Sequence, residues 1–205
     1  MIQPPQPLSK EQLFTLDPAG APVTNKLPGE LRNFCFLLQP NFSMMALTSA
    51  IDALRTANLL SEEELYTFRL VSLDGAAVCS DLGFSAMADQ ALEELNFDHL
   101  DAFVVCGGLR VELQTPPKII RFLRQPELRK KTLGSLWNGL FALAHAGVIN
   151  DKKAVVHRSN RASFRETFAD INLKDKAATS IIQFYKTRYQ YNYCMKYLIR
   201  YTLFM

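Results

Sequence analysis

The residues best placed to do chemistry fall in one stretch. Leu133-Gly134-Ser135-Leu136 reads as a short apolar strand and Trp137-Asn138-Gly139 as a sharp turn. Leu140-Phe141-Ala142-Leu143-Ala144-His145-Ala146 then reads as a helix closed by Gly147. A strand, a tight turn and a helix form the setting in which a nucleophile is held above a sheet edge. Here the residue at the turn is Trp137, and an indole cannot attack a carbonyl. Its ring face suits a cation instead, through an attraction worth about 0.5–2 kcal/mol. The alternative is a core tryptophan filling the space a substrate would use. Asn138 either orients a carboxylate or holds the turn with its own side chain.

Five further residues belong with that turn. Gly107-Gly108 follow an apolar strand and can present backbone amides to an anion, although a plain strand-ending turn needs the same glycines. Ser43 either caps a helix or meets a ligand. Glu112 either faces a cationic ligand or is a solvated loop carboxylate. Cys106 is the thiol nearest the turn; it is either a displaced nucleophile or a small buried strand residue. His145 and His157 have no thiol, serine or metal partner in view. The three histidines and four cysteines show no metal-ligand spacing, so no metal or cofactor is expected.

A chain of 205 residues is long enough for one α/β domain and short for two. Hydrophobic residues at 48% and charged residues at 21% are ordinary for a soluble globular protein. A net charge of +3 is too small to indicate nucleic-acid binding. Cys35, Cys79, Cys106 and Cys194 lack CxxC spacing, which argues for a reducing compartment. No apolar run is long enough to span a bilayer, and the proline-bearing N-terminus has no signal-peptide core, so a cytoplasmic location is expected.

The elements that must position these residues follow from the pattern. Residues 1–31 read as a flexible extension. Residues 33–38 form an unbroken apolar run, as in a strand buried on both faces. A helix is predicted over 44–59 with Ser43 as its N-cap, then a strand over 66–73 ending at Asp74-Gly75. Residues 77–80 and 84–86 read as a small hairpin across Leu82-Gly83, and 89–95 as a short helix. A third core strand covers 102–106, and a helix starts at Pro116-Pro117. After the elbow come a strand over 154–156 and a helix over 159–168. Such alternation predicts a doubly wound, mostly parallel α/β sheet with helices on both faces. Its site should lie at the carboxyl ends of the strands, where 40–43, Gly107-Gly108 and Trp137-Asn138-Gly139 converge.

Residues 175–205 depart from this pattern. They hold six of the seven tyrosines, with Lys186, Arg188, Lys196 and Arg200 and no acidic residue after Asp175. The stretch reads as a terminal helix or a tail, as a basic aromatic surface segment, or as the product of a frame shift.

Several segments together resemble a known family. They are Leu37-Leu38-Gln39-Pro40-Asn41-Phe42-Ser43-Met44-Met45-Ala46, Leu70-Val71-Ser72-Leu73-Asp74-Gly75, Val105-Cys106-Gly107-Gly108 and the elbow stretch. In order and spacing they resemble the sensor half of GlxA-type regulators. These are AraC-family transcription factors with a PfpI-like domain of the class I glutamine amidotransferase superfamily. The resemblance covers roughly residues 32–172 and implies a flavodoxin-like, class I glutamine amidotransferase-like fold. Enzymes of that superfamily carry cysteine at the elbow, often followed by histidine, and an acid after the first strand. Here those positions hold Trp137, Asn138 and Ser43, while Gly107-Gly108 are retained.

The resemblance therefore implies a non-catalytic sensing domain over 32–174. Trp-Asn-Gly at the elbow is similar to members that respond to arginine, glycine betaine or carnitine. It implies a small cationic amino acid or methylated amine as effector, held by Trp137, Asn138, Gly107, Gly108, Ser43 and Glu112. A homodimer is implied as well, with DNA contacted only through a helix-turn-helix output domain that 175–205 does not resemble. The alternative is a PfpI-like hydrolase or amidase using Cys106 or another nucleophile.

Overall fold

The computed structural model describes residues 31–61, 64–156, 158–173 and 182–185. Its centre is β1 (Arg32–Leu38), whose apolar run leaves no polar face to turn to water. β1 therefore lies inside the sheet, parallel to β2 (Tyr66–Ser72) on one side and to β6 (Ala102–Cys106) on the other. In register, Leu37 stands beside Val71 and Leu38 beside Cys106. β7 (Thr132–Leu136) continues the parallel ladder from β6. β5 (Gln90–Ala91) adds to the outer edge of β2, and β10 (Ile182–Tyr185) pairs antiparallel with β7. The order is β10-β7-β6-β1-β2-β5. The core strands β2-β1-β6-β7 thus run in flavodoxin-like order, which reverses between β1 and β6.

Alternation along the strands divides the core in two. Phe34, Phe36, Leu38, Val104, Cys106 and Leu136 belong to one apolar cluster. Against them α1 (Met44–Leu60) buries Ala46, Leu47, Ala50 and Leu54, a stripe at helical spacing. Cys35, Leu37, Val71, Phe103, Val105 and Leu133 belong to the other cluster. They are covered by α2 (Pro117–Leu123), α3 (Pro126–Arg129), α4 (Leu140–His145) and α5 (Arg161–Thr167). Phe122 sits 5.4 Å from Phe103, and Phe141 meets Phe164 edge-on at 5.0 Å, so aromatic pairs fasten these helices to the sheet. The doubly wound, mostly parallel α/β architecture is as predicted.

Four elements differ from the expectation. Residues 89–95 hold β5 and a 3-10 turn, Leu92–Glu94, in place of a helix. The reason is edge pairing: Asp89 accepts from the Leu70 amide at 2.7 Å and donates its own N–H to the Leu70 carbonyl at 2.7 Å. The strand expected over 154–156 shrinks to β8 (Lys153–Ala154), which pairs with β9 (Asn172–Leu173) away from the main sheet. The helix expected over 159–168 begins as a 3-10 turn, Arg158–Asn160, before α5. Finally, β10 comes from the stretch read as foreign to the pattern. Ile182, Phe184 and Tyr185 are strand-forming residues, and Ile182 pairs with Leu136 while Tyr185 pairs with Leu133. The expectation for 1–31, apart from Leu31, lies outside the described residues, as does that for the tail beyond 185.

Small strands also cover the site's edge. β3 (Val78–Cys79) and β4 (Ser85–Ala86) form the expected hairpin around Gly83, which has φ +81°. Ser80 bridges to Phe42, which pins the hairpin against the turn after β1.

Candidate functional site

The elbow begins where β7 ends. Trp137 has φ +48°, a left-handed conformation that costs a bulky residue about 1–3 kcal/mol. It opens a 3-10 turn, Trp137–Gly139, which runs straight into α4. Gly139 is required at this turn, because a methyl group there would overlap the Val105 carbonyl. Gly107 is required in the same way, since a Cβ would overlap the backbone nitrogen of Gly139. A Cβ on Gly108 would overlap the carbonyl of Asn41 and lie 2.8 Å from the Ser43 nitrogen. Three backbones therefore approach at distances that only glycine permits.

Hydrogen bonds stitch these segments together. The Gln39 N–H donates to the Cys106 carbonyl at 3.1 Å, and the Ser43 N–H to the Gly107 carbonyl at 3.0 Å. The Gly107 N–H donates to the Leu136 carbonyl at 3.1 Å. Asn138 Nδ2 donates to the Gly108 carbonyl at 2.9 Å, and Asn138 Oδ1 accepts from Asn160 Nδ2 at 2.7 Å. The convergence of 40–43, 107–108 and 137–139 is thus present, at the carboxyl ends of β1, β6 and β7.

The DJ-1/PfpI family model matches residues 32–180. The chain belongs to the DJ-1/PfpI family. Over 157 residues it is 31% identical to the HTH-type transcriptional regulator GbdR of Pseudomonas aeruginosa, covering 77% of this chain and 41% of that protein. Over 142 residues it is 34% identical to the HTH-type transcriptional regulator CdhR of the same species, covering 69% and 41%. The chain therefore spans about two fifths of the length of the curated relatives it matches. Among solved structures, an AraC family transcriptional regulator from Pseudomonas putida superposes with a TM-score of 0.63 at 37% identity, covering 71% of this chain and 77% of that one. The resemblance read from the motifs is confirmed at the level of the family and of its regulator branch. Among the described residues, no helix is long and apolar enough to cross a membrane.

Within this DJ-1/PfpI domain the expected site residues take different places. Trp137 is half-buried and packs against the apolar cluster on the α1 side. Asn138 is 3% exposed, and its amide is engaged with Gly108 and Asn160. Asn138 therefore fixes the turn and holds Gly108 against the elbow. The expected pair of anion-binding amides reduces to one, because the Gly107 N–H already serves Leu136. Ser43 is the N-cap of α1; its Oγ accepts from the Ala46 N–H at 3.4 Å, and the residue is 3% exposed. Glu112 is exposed on the loop after Gly108 and makes no ion pair among the described residues.

The thiol and imidazoles stand apart from the turn. Cys106 is fully buried on the α1 face, and burial raises its pKa well above the ordinary thiol value. Cys35, beside Phe103 on the opposite face, is pushed up by burial as well. His145 meets Thr115 Oγ1 through Nδ1 at 3.0 Å and lies edge-on to Phe168 at 4.8 Å. Burial lowers its pKa. His157 lies outside the described residues.

Three residues join the site that motif reading did not single out. Asp81, in the β3–β4 hairpin, accepts from the Met44 N–H at 3.0 Å and donates its own N–H to the Phe42 carbonyl at 2.9 Å. A carboxylate thus stands at the N-terminus of α1, beside the Ser43 position that lacks one. Asn160, at the start of α5, holds Asn138 from the far side. Gln39, directly after β1, is 4% exposed, and its Oε1 has no hydrogen-bond partner among the described residues. Leaving such an atom buried and unpaired costs about 1–3 kcal/mol. A polar residue ending an apolar strand was the signal for Gln39. Asp81 and Asn160 had none, since each comes from a distant segment.

Proposed function

We propose that this domain is a non-catalytic sensor for a small cationic molecule, an amino acid or a methylated amine, and that it serves transcriptional control as part of a regulator like its relatives. The observation that carries the reading is Trp137 at φ +48°. The strained elbow geometry, which elsewhere presents a nucleophile, here presents an indole. An aromatic face beside a few fixed polar groups suits recognition of a cation, not attack on a carbonyl.

The Gly108 N–H is the donor this reading assigns to an effector carboxylate, its peptide held by the Ser43 N–H on the Gly107 carbonyl and the following one by Asn138. Asp81 supplies negative charge near the turn after β1. Glu112 serves as a rim charge, and Ser43 and Gly107 shape the turn. Occupancy shifts the balance between conformations of the domain, which an attached DNA-binding domain would read as a change in DNA engagement. A symmetric homodimer suits paired DNA half-sites. Cys106 has the opposite environment from an activated thiolate, which weighs against a hydrolase built on that residue.

The test is a thermal-shift panel of arginine, glycine betaine and carnitine. Stabilisation by at least one compound that disappears in a folded Trp137→Ala variant supports the sensor. Silence across the panel, or stabilisation that persists in that variant, refutes it.

A further inference from the structure

We infer that Gln39 selects effectors whose cationic group carries N–H donors and discriminates against fully methylated ammonium groups. This rests on the sensor reading above and narrows the ligand class within it. Gln39 occupies the point where strand order reverses, between the ends of β1 and β6, where doubly wound sheets open a crevice for ligands. Its main chain is fixed on both sides: the N–H donates to Cys106 at 3.1 Å, and the carbonyl accepts from the Phe42 N–H at 2.9 Å. The turn it begins is the one that approaches Gly108, so the side chain is carried on backbone hydrogen-bonded at both its N–H and its carbonyl.

The side chain is what the fold leaves unexplained. Ser43, Ser80, Thr115 and Asn138 are buried polar residues, and each has a hydrogen-bond partner within the protein. Gln39 is as buried as they are, yet its Oε1 has none among the described residues. For packing alone, a methionine would fill the same length without an amide to desolvate. An amide oxygen only accepts, so it is completed by a donor such as a primary ammonium or a guanidinium N–H. A trimethylammonium offers carbon-bound hydrogens only. The indole of Trp137 attracts both kinds of cation, and discrimination between them falls to Gln39.

Calorimetric titration of the whole chain with L-arginine and with glycine betaine tests this on wild type, Gln39→Met and Trp137→Ala. Wild type should bind arginine at least tenfold tighter than glycine betaine. Gln39→Met should lose that tenfold for arginine, keep its affinity for glycine betaine, and melt at the same temperature as wild type or higher. Equal arginine affinity in Gln39→Met, a wild-type preference for glycine betaine, or a lower melting temperature of the free variant overturns the inference. In those cases Trp137-dependent binding would leave the sensor reading standing. Absence of binding by either compound, or indifference to Trp137→Ala, removes the sensor reading and this inference together.

Discussion

Asn138 and Gly108 are joined by a 2.9 Å hydrogen bond from the Asn138 amide to the Gly108 carbonyl, although 30 positions separate them in the chain. The bond ties the elbow after β7 to the loop after β6. It fixes the peptide that follows Gly108, while the peptide carrying the Gly108 N–H, the donor assigned to an effector, is held by the Ser43 N–H on the Gly107 carbonyl at 3.0 Å. Asn160 completes the Asn138 amide from α5, so one buried side chain couples three parts of the domain.

Removing that side chain should cost both stability and binding. Asn138→Ala leaves the Gly108 carbonyl and the Asn160 amide without their partner, a loss of about 1–3 kcal/mol. Urea unfolding followed by circular dichroism measures it. Asn160→Ala should cost a smaller part of the same amount, and the double variant should fall short of the sum because the two share one bond. Strict additivity would show that the bridge is not formed in solution.

The glycine contacts predict a sharp contrast among alanine substitutions. Gly139→Ala and Gly107→Ala force a methyl into neighbouring backbone, so each should destabilise by at least about 3 kcal/mol or prevent folding. Gly83→Ala meets no atom within 4 Å and pays only for its φ of +81°, about 1 kcal/mol. Melting temperatures of the three variants rank these effects.

Because Trp137 is the sole tryptophan, its emission reports the elbow without labelling. A bound effector should change the intensity or wavelength of tryptophan emission, saturating with the calorimetric affinity. Calorimetric binding with an unchanged spectrum would place the ligand elsewhere.

Among the described cysteines, thiol reactivity separates the two buried ones from the exposed one. In the folded protein at neutral pH, iodoacetamide should modify Cys79, which is exposed, and leave Cys35 and Cys106 untouched. Peptide mapping by mass spectrometry reads the pattern. Rapid labelling of Cys106 would revive the hydrolase alternative.

His145 contributes a pH dependence of known sign. Burial lowers its folded pKa below the ordinary imidazole value. The unfolded chain therefore binds the proton more readily. The contribution of neutral His145 is fully present above the unfolded value; it is lost as pH falls through that value to the folded one. The groups facing it are Thr115 and Phe168, with the Arg124 guanidinium on its carbonyl at 3.2 Å. His145→Gln should flatten the decline of stability that sets in as pH falls through the ordinary imidazole value. An unchanged slope would assign the decline to other groups.

Much of the fold was legible because its signals are local. The apolar run of β1, the Ser43 cap and the glycines at 107, 108 and 139 are each readable within a few residues. Residues 89–95 were misjudged because edge pairing of Asp89 with Leu70 overrode a helical pattern. β10 was not legible because it is only four residues long and its partner, β7, lies about 50 positions earlier in the chain.

The sequence by itself determined the strand–helix alternation, the elbow with Trp137 at its tip, and the residue types at Trp137, Asn138 and Ser43, where the resemblance places the reactive groups of the enzymes. Those properties belong to residue types at fixed positions. Only the tertiary structure decided how the site residues divide their work. Asn138 and Gly107 are occupied by the protein itself, Asp81 and Asn160 arrive from remote segments, and Gln39 is left with an unanswered acceptor. Hydrogen-bond satisfaction is a property of neighbours in space, and at the elbow those neighbours come from five different segments of the chain.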